Sequence, residues 1–241
     1  MTERTKGAGA RIVRAAAELL THGGLEAVST RAVSAAAGVQ PPAIYREYKD
    51  MQGLLHAAAR AVLARYVRQK ASRAPGPDPL EDLRRGWDLH VSFGLANPAA
   101  YTLLYGPAAA SEDDAAHREG IAVLHALLRR VAEAGHLKVS IEHAARMIHA
   151  GGMGVTCSLI ATPLAERDLR VSDEMRDAIV AAITEPTKSA KAKGVASVAA
   201  RAVSLRASLA ETGDALSTGE RQLLGEWLDR IADVRVRGSG R

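Results

Sequence analysis

Between positions 30 and 49 the sequence gathers side chains of the kinds that read a nucleic acid: Thr30, Arg31, Gln40, Tyr45, Arg46 and Lys49, with Pro42 and Ala43 among them. Phosphate contacts position a protein on a duplex, and base contacts specify the site. Thr30 and Arg31 are the candidates for backbone contact, and Lys49 for a phosphate. Gln40, Ala43, Tyr45 and Arg46 are the candidates for a groove-facing side, with Arg46 the best guanine reader because its fork matches O6 and N7. A second gathering is aromatic: Trp87, Phe93, Tyr101 and Tyr105 place four of the eight aromatic residues within nineteen positions. Trp87 and His90 share a helical face at i, i+3, Tyr101 and Tyr105 share one at i, i+4, and His125 and Met147 stand on facing segments. An apolar cavity rimmed by Tyr, His and Trp polar tips would bind a small, largely hydrophobic molecule. Ordinary core packing accounts for each of these residues singly about as well.

Catalysis has no such gathering. No nucleophile stands with a base and an orienting partner in a recognisable motif. His136, His143 and His149 fit no helical face with a carboxylate or Cys to complete a metal site. Gly151-Gly-Met-Gly154 copies part of a dinucleotide fingerprint, but no strand precedes it and no acid follows at the required place. Cys157 is alone, which leaves no disulfide framework. The expectation is a protein that is not an enzyme and takes no metal and no cofactor.

The residues from 24 to 55 supply the element that must hold the first gathering. Ser29 or Thr30 can cap a short helix, because either hydroxyl can accept from the orphan amides of an opening turn. Val33, Ala36 and Ala37 give that helix an apolar side. Gly38 stands where the chain must turn sharply, a place suited to a left-handed residue without Cβ. Pro42 suits the first position of a second helix, which runs through Ala43, Ile44, Tyr45, Arg46, Glu47 and Tyr48. Two short helices joined by a tight turn are a helix-turn-helix, whose second helix lies in a major groove while the first crosses the backbone. Before it, Ile12, Ala16, Leu19 and Leu20 mark a helix over Arg11 to His22. After it, Met51 to about Ala71 reads as a long helix.

With these residues in view, the run TRAVSAAAGVQPPAIYREYKDMQGLL resembles the amino-terminal domain of the tetracycline-repressor-like (TetR) transcription regulators. The likeness rests on Gly38-Val39, the Pro42-Ala43-Ile44-Tyr45 core, Tyr48 and Leu54-Leu55. It departs from the family twice. Ser34 stands where the family has Ala, and Met51 replaces the lysine that meets a phosphate, so that role is carried to Lys49. Further on, GWDLHVSFGLANPAAYTLLYG resembles the ligand domain of one branch of the same family, with a Trp-x-x-His helix followed by Asn-Pro-x-x-Tyr. The resemblance implies a double-stranded DNA operator, a small-molecule effector and a homodimer as partners. It also implies that the last two family helices form a four-helix bundle across a two-fold axis, which assigns the dimer interface to Ile148, Gly152, Val155, Leu159, Ile179 and Ile183.

The rest of the chain fits an all-α protein. Its N-terminal three-helix helix-turn-helix DNA-binding domain (1–50) leads through a connecting helix (51–73) to a larger C-terminal helical ligand-binding and dimerisation domain (74–187), followed by extra helices and a tail (188–241). The linker APGPDP breaks the long helix. Asn97 caps, and Pro98 starts, a two-turn helix; Ser111-Glu-Asp-Asp opens another; Met175, Ile179 and Ile183 point inward from a helix over Ser172 to Glu185. Val195, Val198, Ala202, Leu205 and Leu209 repeat three-four spacing, and Ser217-Thr-Gly-Glu220 is a capping box. The final RVRGSGR reads as a disordered tail. Charge is uneven: residues 1–73 hold 12 Lys/Arg against 5 Asp/Glu, whereas residues 74–187 hold 10 against 16. A basic head on an acidic body suits phosphate attraction at one end. No apolar run is long enough for a bilayer and no secretory signal opens the chain, so a cytoplasmic protein with no membrane partner is expected. The function expected is a ligand-responsive repressor of transcription. The competing readings are a helical carrier or enzyme that retains the module, and a DNA-binding protein without sequence preference.

Overall fold

The helical signals of the sequence are met along the whole described chain. The structure is a computed structural model that describes residues 3–106, 115–185 and 198–233. Eleven α-helices follow in order among these residues: α1 (Glu3–Gly23), α2 (Thr30–Ala37), α3 (Pro41–Tyr48), α4 (Met51–Ala71), α5 (Pro79–Ala96), α6 (Pro98–Tyr105), α7 (Ala115–Glu133), α8 (Ile141–Ala161), α9 (Arg170–Ile183), α10 (Val198–Ser208) and α11 (Thr218–Asp233). No strand forms among them beyond one isolated bridge between Leu137 and Thr184. The fold is all-α, as the alanine-rich, helix-periodic sequence requires. None of the helices among the described residues is long and apolar enough to cross a membrane. The opening at Ser111, the basic run from Lys188 and the tail RVRGSGR lie outside the described residues.

The chain packs as two compact units. The first draws on Met1–Ala74, His90–Gly120 and Met153–Asp168, and the second on Pro75–Leu89, Ile121–Gly152 and Leu169–Arg241. In the first unit, one apolar core runs from Ile12, Ala16, Val33 and Ile44 of the N-terminal helices, through Leu54, Ala58, Val62 and Val67 of α4, to Phe93, Ala100 and Tyr101. Helix α4 packs against both α1 and α6, and α6 also touches α1. In the second unit, Leu80 and Leu83 of α5 join Leu128 and Val131 of α7, Ala144 and Ala145 of α8, and Val180 and Ile183 of α9. Val203 of α10 and Ala232 of α11 enter the same core, so the C-terminal pair is part of that unit.

Several local expectations change. The first helix starts about two turns earlier than its apolar stripe, at Glu3. Asn97 makes no side-chain cap; its Nδ2 donates back to the Phe93 carbonyl at 3.0 Å. Met175 does not point inward: it is 42% exposed on the outer face of α9. Val198 and Leu205 are likewise exposed, whereas Ala202 and Leu209 of the same predicted stripe are buried. The capping box does form, with Glu220 accepting from the Ser217 amide at 2.9 Å and Ser217 Oγ accepting from the Glu220 amide at 3.3 Å.

Candidate nucleic-acid interface and effector site

The helix-turn-helix is built by short-range chemistry. Ser29, extended, accepts from the Ala32 amide at 3.2 Å and so starts α2. Gly38 takes φ 63° and ψ 44°, the left-handed conformation that ends α2. Arg11 of α1 donates to the Ala37 carbonyl at 3.3 Å, satisfying one of the last acceptors of that helix. Helix α3 then begins at the proline pair. Its inner side is Ile44, fully buried, and Tyr48, whose hydroxyl donates to the Gly9 carbonyl at 2.8 Å. Burial, and secondarily the neighbouring Glu47 charge, push the Tyr48 phenol above its ordinary pKa.

The turn after α3 carries a feature that the sequence did not announce. Lys49 has φ 64° and ψ −52°, and among the described residues it alone has positive φ without being glycine. The Asp50 amide donates to the Tyr48 carbonyl at 2.6 Å across it. That is a γ-turn of the rare, strained hand. Asp50 Oδ1 accepts from the Gly53 amide at 2.7 Å to start α4. A Cβ at Gly53 would lie 2.5 Å from the Tyr48 carbonyl oxygen, so only glycine lets α4 begin this close to α3.

Arg31, Gln40, Pro42, Tyr45, Arg46 and Lys49 are all exposed, and Thr30 and Ala43 are half-exposed. The Thr30 and Tyr45 hydroxyls meet at 3.0 Å, which ties the start of α2 to the outer face of α3. Arg46 lies 3.8 Å from Glu47, with its side chain 63% exposed. An ion pair so exposed is worth little and leaves the guanidinium available.

The aromatic candidates divide between the two units. His90, Phe93, Tyr101 and Tyr105 come together in the first. His90 Nε2 and the Tyr101 hydroxyl are 2.8 Å apart, and the Tyr101 and Tyr105 rings are 4.6 Å apart. Burial raises the Tyr101 phenol far above its ordinary pKa, so it acts as a neutral hydrogen-bonding group. Two further residues complete this cluster and had not been assigned to it. Tyr66 of α4 stacks on Phe93 at 4.4 Å, and its buried hydroxyl has no hydrogen-bond partner. His117 lies 6.2 Å from Tyr105. Lys70, one turn beyond Tyr66, sits 5.9 Å from the Tyr66 ring, and burial lowers its pKa to about 8. In an aromatic-poor chain the spacing of Tyr66 on α4 was the available signal, but it marked only an inward face.

In the second unit, Trp87 is buried and its Nε1 donates to Ser172 Oγ at 3.0 Å, fixing α5 to the first turn of α9. Met147 packs against that unit's core. His125 lines a different space, a cavity of about 410 Å³ shared with Arg129, Ser140, Val203, Arg206 and Asp229. Gly151 of α8 faces Trp87 and Ile179, where a Cβ would collide with Ile179. Close packing here accounts for a glycine that costs about 1 kcal/mol in helix propensity against Ala.

The residues assigned to a dimer interface are placed as follows. Val155, Leu159 and Ile183 are buried within their own chain, Ile183 with no exposed surface, and Gly152 is buried too. Ile148 and Ile179 are half-buried. The outward faces of the same helices carry other residues: Arg146, Ala150, Gly154 and Ser158 on α8, and Val171, Met175, Ala178 and Ala182 on α9. No His, Cys, Asp and Glu grouping among the described residues could hold a metal ion.

Two family models match this chain. One, described as bacterial regulatory proteins of the tetR family, covers residues 12–58. The other, described as a tetracyclin repressor-like C-terminal domain, covers residues 83–183, which leaves α10 and α11 outside both. No curated protein matches. Solved structures do. A putative tetR family transcription regulator from Shewanella sp. PV-4 aligns with a TM-score of 0.53 at 16% identity, over 74% of this chain and 99% of its own. The fatty acid degradation regulator FadR from Bacillus halodurans aligns with a TM-score of 0.54 at 18% identity, over 71% and 94%. The transcriptional regulator FadR from Bacillus subtilis, solved in complex with stearoyl-CoA, aligns with a TM-score of 0.52 at 14% identity, over 72% and 98%. At such identities the likeness is one of fold.

Proposed function

The chain belongs to the TetR family of bacterial transcriptional regulators, and from that premise we propose that it is a homodimeric repressor, released from a near-palindromic operator by a small, largely apolar effector. Residues 1–50 would read the duplex, α4 would connect, and the ring cluster of His90, Phe93, Tyr101 and Tyr105 would sense the effector. Thr30 and Arg31 would touch the backbone, Gln40, Ala43, Tyr45 and Arg46 would enter the groove with Pro42 starting the helix that carries them, and Lys49 would meet a phosphate.

One observation carries this reading: α6, which bears Tyr101 and Tyr105, packs directly on α4 and α1, and a single apolar core joins those rings to Ile44 beneath the recognition face. A close-packed core transmits displacement instead of absorbing it. An effector that needs space beside Tyr101 therefore favours a different placement of α4 and of the helix-turn-helix upon it. The ligand can shift the equilibrium only by its differential affinity for the two arrangements. In a dimer, such a shift changes the separation of two recognition helices that must lie about 34 Å apart to occupy successive turns of one DNA face.

The test is a titration of the purified chain against the DNA upstream of its own gene, at two salt concentrations, with unrelated DNA as the reference. Tight binding that weakens steeply with salt and prefers the upstream DNA supports the proposal. Equal affinity for both DNAs would refute operator recognition, and absence of any salt-dependent affinity would refute DNA binding.

A further inference from the structure

The cavity of about 410 Å³ in the second unit lies where α7 and the start of α8 face α10 and α11. That is the size of a site for a small metabolite. Helix α7 and the start of α8 belong to the C-terminal family match, which ends at residue 183, so the two extra helices close one side of this space. Its floor is apolar, with Val203 buried and Ile141 and Ala207 half-buried. Its walls are charged, and carry both signs. On one wall the Arg206 Nε donates to Asp229 Oδ2 at 3.2 Å. The guanidinium lies over Gly225, buried in the middle of α11, where a Cβ would stand 3.1 Å from both Cζ and Nε. A mid-helix glycine is unfavourable in propensity, and here it leaves room for the guanidinium. The terminal nitrogens of Arg206 have no hydrogen-bond partner among the described residues. An arginine held by Nε with its outer N–H groups unused is set to receive a carboxylate. Arg129 enters the same space from α7. Glu133, one turn further on, and Glu142, in the first turn of α8, flank the bend that joins these helices. Opposite charges at i, i+4 of a helix commonly pair. Arg129 and Glu133 do not; neither they, nor Glu142, nor Glu211 just past α10, has a hydrogen-bond or ion-pair partner through its side chain among the described residues.

We infer that this cavity binds a free amino acid with a basic side chain, its carboxylate on Arg206 and Arg129, its α-ammonium on Glu133 and Glu142, and its side-chain cation on Glu211. The lining selects against simpler ligands. A dicarboxylate would set its second negative charge against glutamates, and a diamine would set one of its ammonium groups against guanidinium groups. A molecule that carries both signs on one carbon matches Arg129 and Glu133, whose Cβ atoms stand one helical turn apart, about 6 Å. Asp229 already offsets Arg206, which leaves one arginine against three glutamates. A ligand with one net positive charge therefore suits the cavity better than an acidic amino acid does. The methylenes of its side chain would cover the floor at Val203 and Ala207. The charged groups on the walls are partly exposed, and such contacts are individually modest, so the binding is that of a metabolite sensor and not of a tightly held cofactor. The site shares no residue with the ring cluster of His90, Phe93, Tyr101 and Tyr105.

The test is calorimetric titration of the full chain, without DNA, so its result leaves operator binding untouched. The probes are L-lysine and L-arginine, with L-glutamate, cadaverine (lysine without its carboxylate) and Nα-acetyl-L-lysine (lysine without its α-ammonium) as references. Lysine or arginine should bind, at least tenfold more tightly than each reference. Two exposed-site variants then assign the ends of the ligand, with helical circular dichroism to verify the fold. Arg129→Met should weaken lysine at least tenfold and leave cadaverine unchanged. The paired exchange Glu133→Gln with Glu142→Gln should weaken lysine at least tenfold and leave Nα-acetyl-lysine unchanged. Differences of this kind isolate the contact between one side chain and one end of the ligand. No binding of lysine or arginine would overturn the inference. So would a reference that binds as tightly as lysine, or variants that weaken lysine and its analogue equally or not at all.

Discussion

Lys49 concentrates backbone strain at a single exposed residue, with φ 64° and no glycine to relieve it. A non-glycine residue in so strained a turn costs on the order of 1–3 kcal/mol. Here the strain holds an exposed ammonium at the end of the recognition helix. Lys49→Gly should therefore raise the unfolding free energy by about 1 kcal/mol in denaturant melts, while weakening binding to all DNA sequences alike and lowering the salt slope by about one. Arg46→Ala should do something different: relax preference at one base position with a loss of ~1–3 kcal/mol there. Like behaviour of the two variants across operator mutants would contradict the assignment of phosphate and base roles. Ser34 makes the opposite case. Its hydroxyl is buried without a partner, at the position where the family carries Ala. A stranded buried hydroxyl costs about 1 kcal/mol or more, so Ser34→Ala should raise the melting temperature without altering DNA affinity; a lower melting temperature would mean that the hydroxyl is satisfied after all. Lys70 gives a pH-dependent case. Its folded pKa, about 8, lies below the ordinary 10.5 because burial penalises the ammonium. The penalty is fully present below pH 8 and fades as pH rises towards 10.5, since the unfolded chain then holds more protons than the folded one. Lys70→Met should thus be more stable than wild type at pH 7, with the difference shrinking through that window. A gain independent of pH would show that packing, not charge burial, is responsible.

At the scale of elements, α8 is informative because its two glycine-bearing faces differ. Gly151 is explained inside the chain by Trp87 and Ile179. Gly154 is not: it is exposed in mid-helix, and a Cβ there would meet nothing within 4 Å. Since such a glycine costs about 1 kcal/mol against Ala, its chain alone gives no reason for it. A second helix approaching closely along Ala150, Gly154 and Ser158 would supply one. Gly154→Ala should then stabilise the unpaired chain by about 1 kcal/mol and weaken dimerisation in analytical ultracentrifugation; a stabilised chain with unchanged dimer affinity would remove α8 from the interface. The same helix shows what the sequence could tell and what it could not. Turn chemistry is local, so Ser29, Gly38, the proline pair and the Ser217–Glu220 box were legible from a few neighbours each. The four-three seam through Val155 and Leu159 was legible as a buried seam, but burial has the same periodicity whether the covering helix belongs to the same chain or to another. In this structure it is their own chain that covers Val155 and Leu159. The joining of Tyr66 to the α6 rings was beyond reach for a related reason: it depends on how α4 crosses α6, and spacing within one helix carries no information about crossings.

The charge distribution concerns the molecule as a whole. The first 73 residues carry seven more basic than acidic side chains, and residues 74–187 carry six more acidic than basic ones. One head binds phosphates by counterion release, with log affinity falling about 0.9 per phosphate neutralised for each decade of salt. Two heads held rigidly on one dimer sum their contacts, so the dimer should show about twice the salt slope of a single head. Sequence preference should multiply in the same way, because each half-site contributes its own discrimination. The outer face of α9, with Val171 and Met175 48% and 42% exposed beside Ala178 and Ala182, is the apolar surface that pairing would cover. Met175 is not part of either unit's core, and Met175→Glu should leave the fold intact while setting two negative charges against each other at a paired face. The variant should sediment as a single chain at micromolar concentration, keep its helical circular dichroism, and bind the operator with about half the wild-type salt slope. A variant that stays dimeric would take α9 out of the interface. One that becomes monomeric yet keeps the full slope and full preference would show that a single head suffices, and the effector could then act only on that head, not on the distance between two.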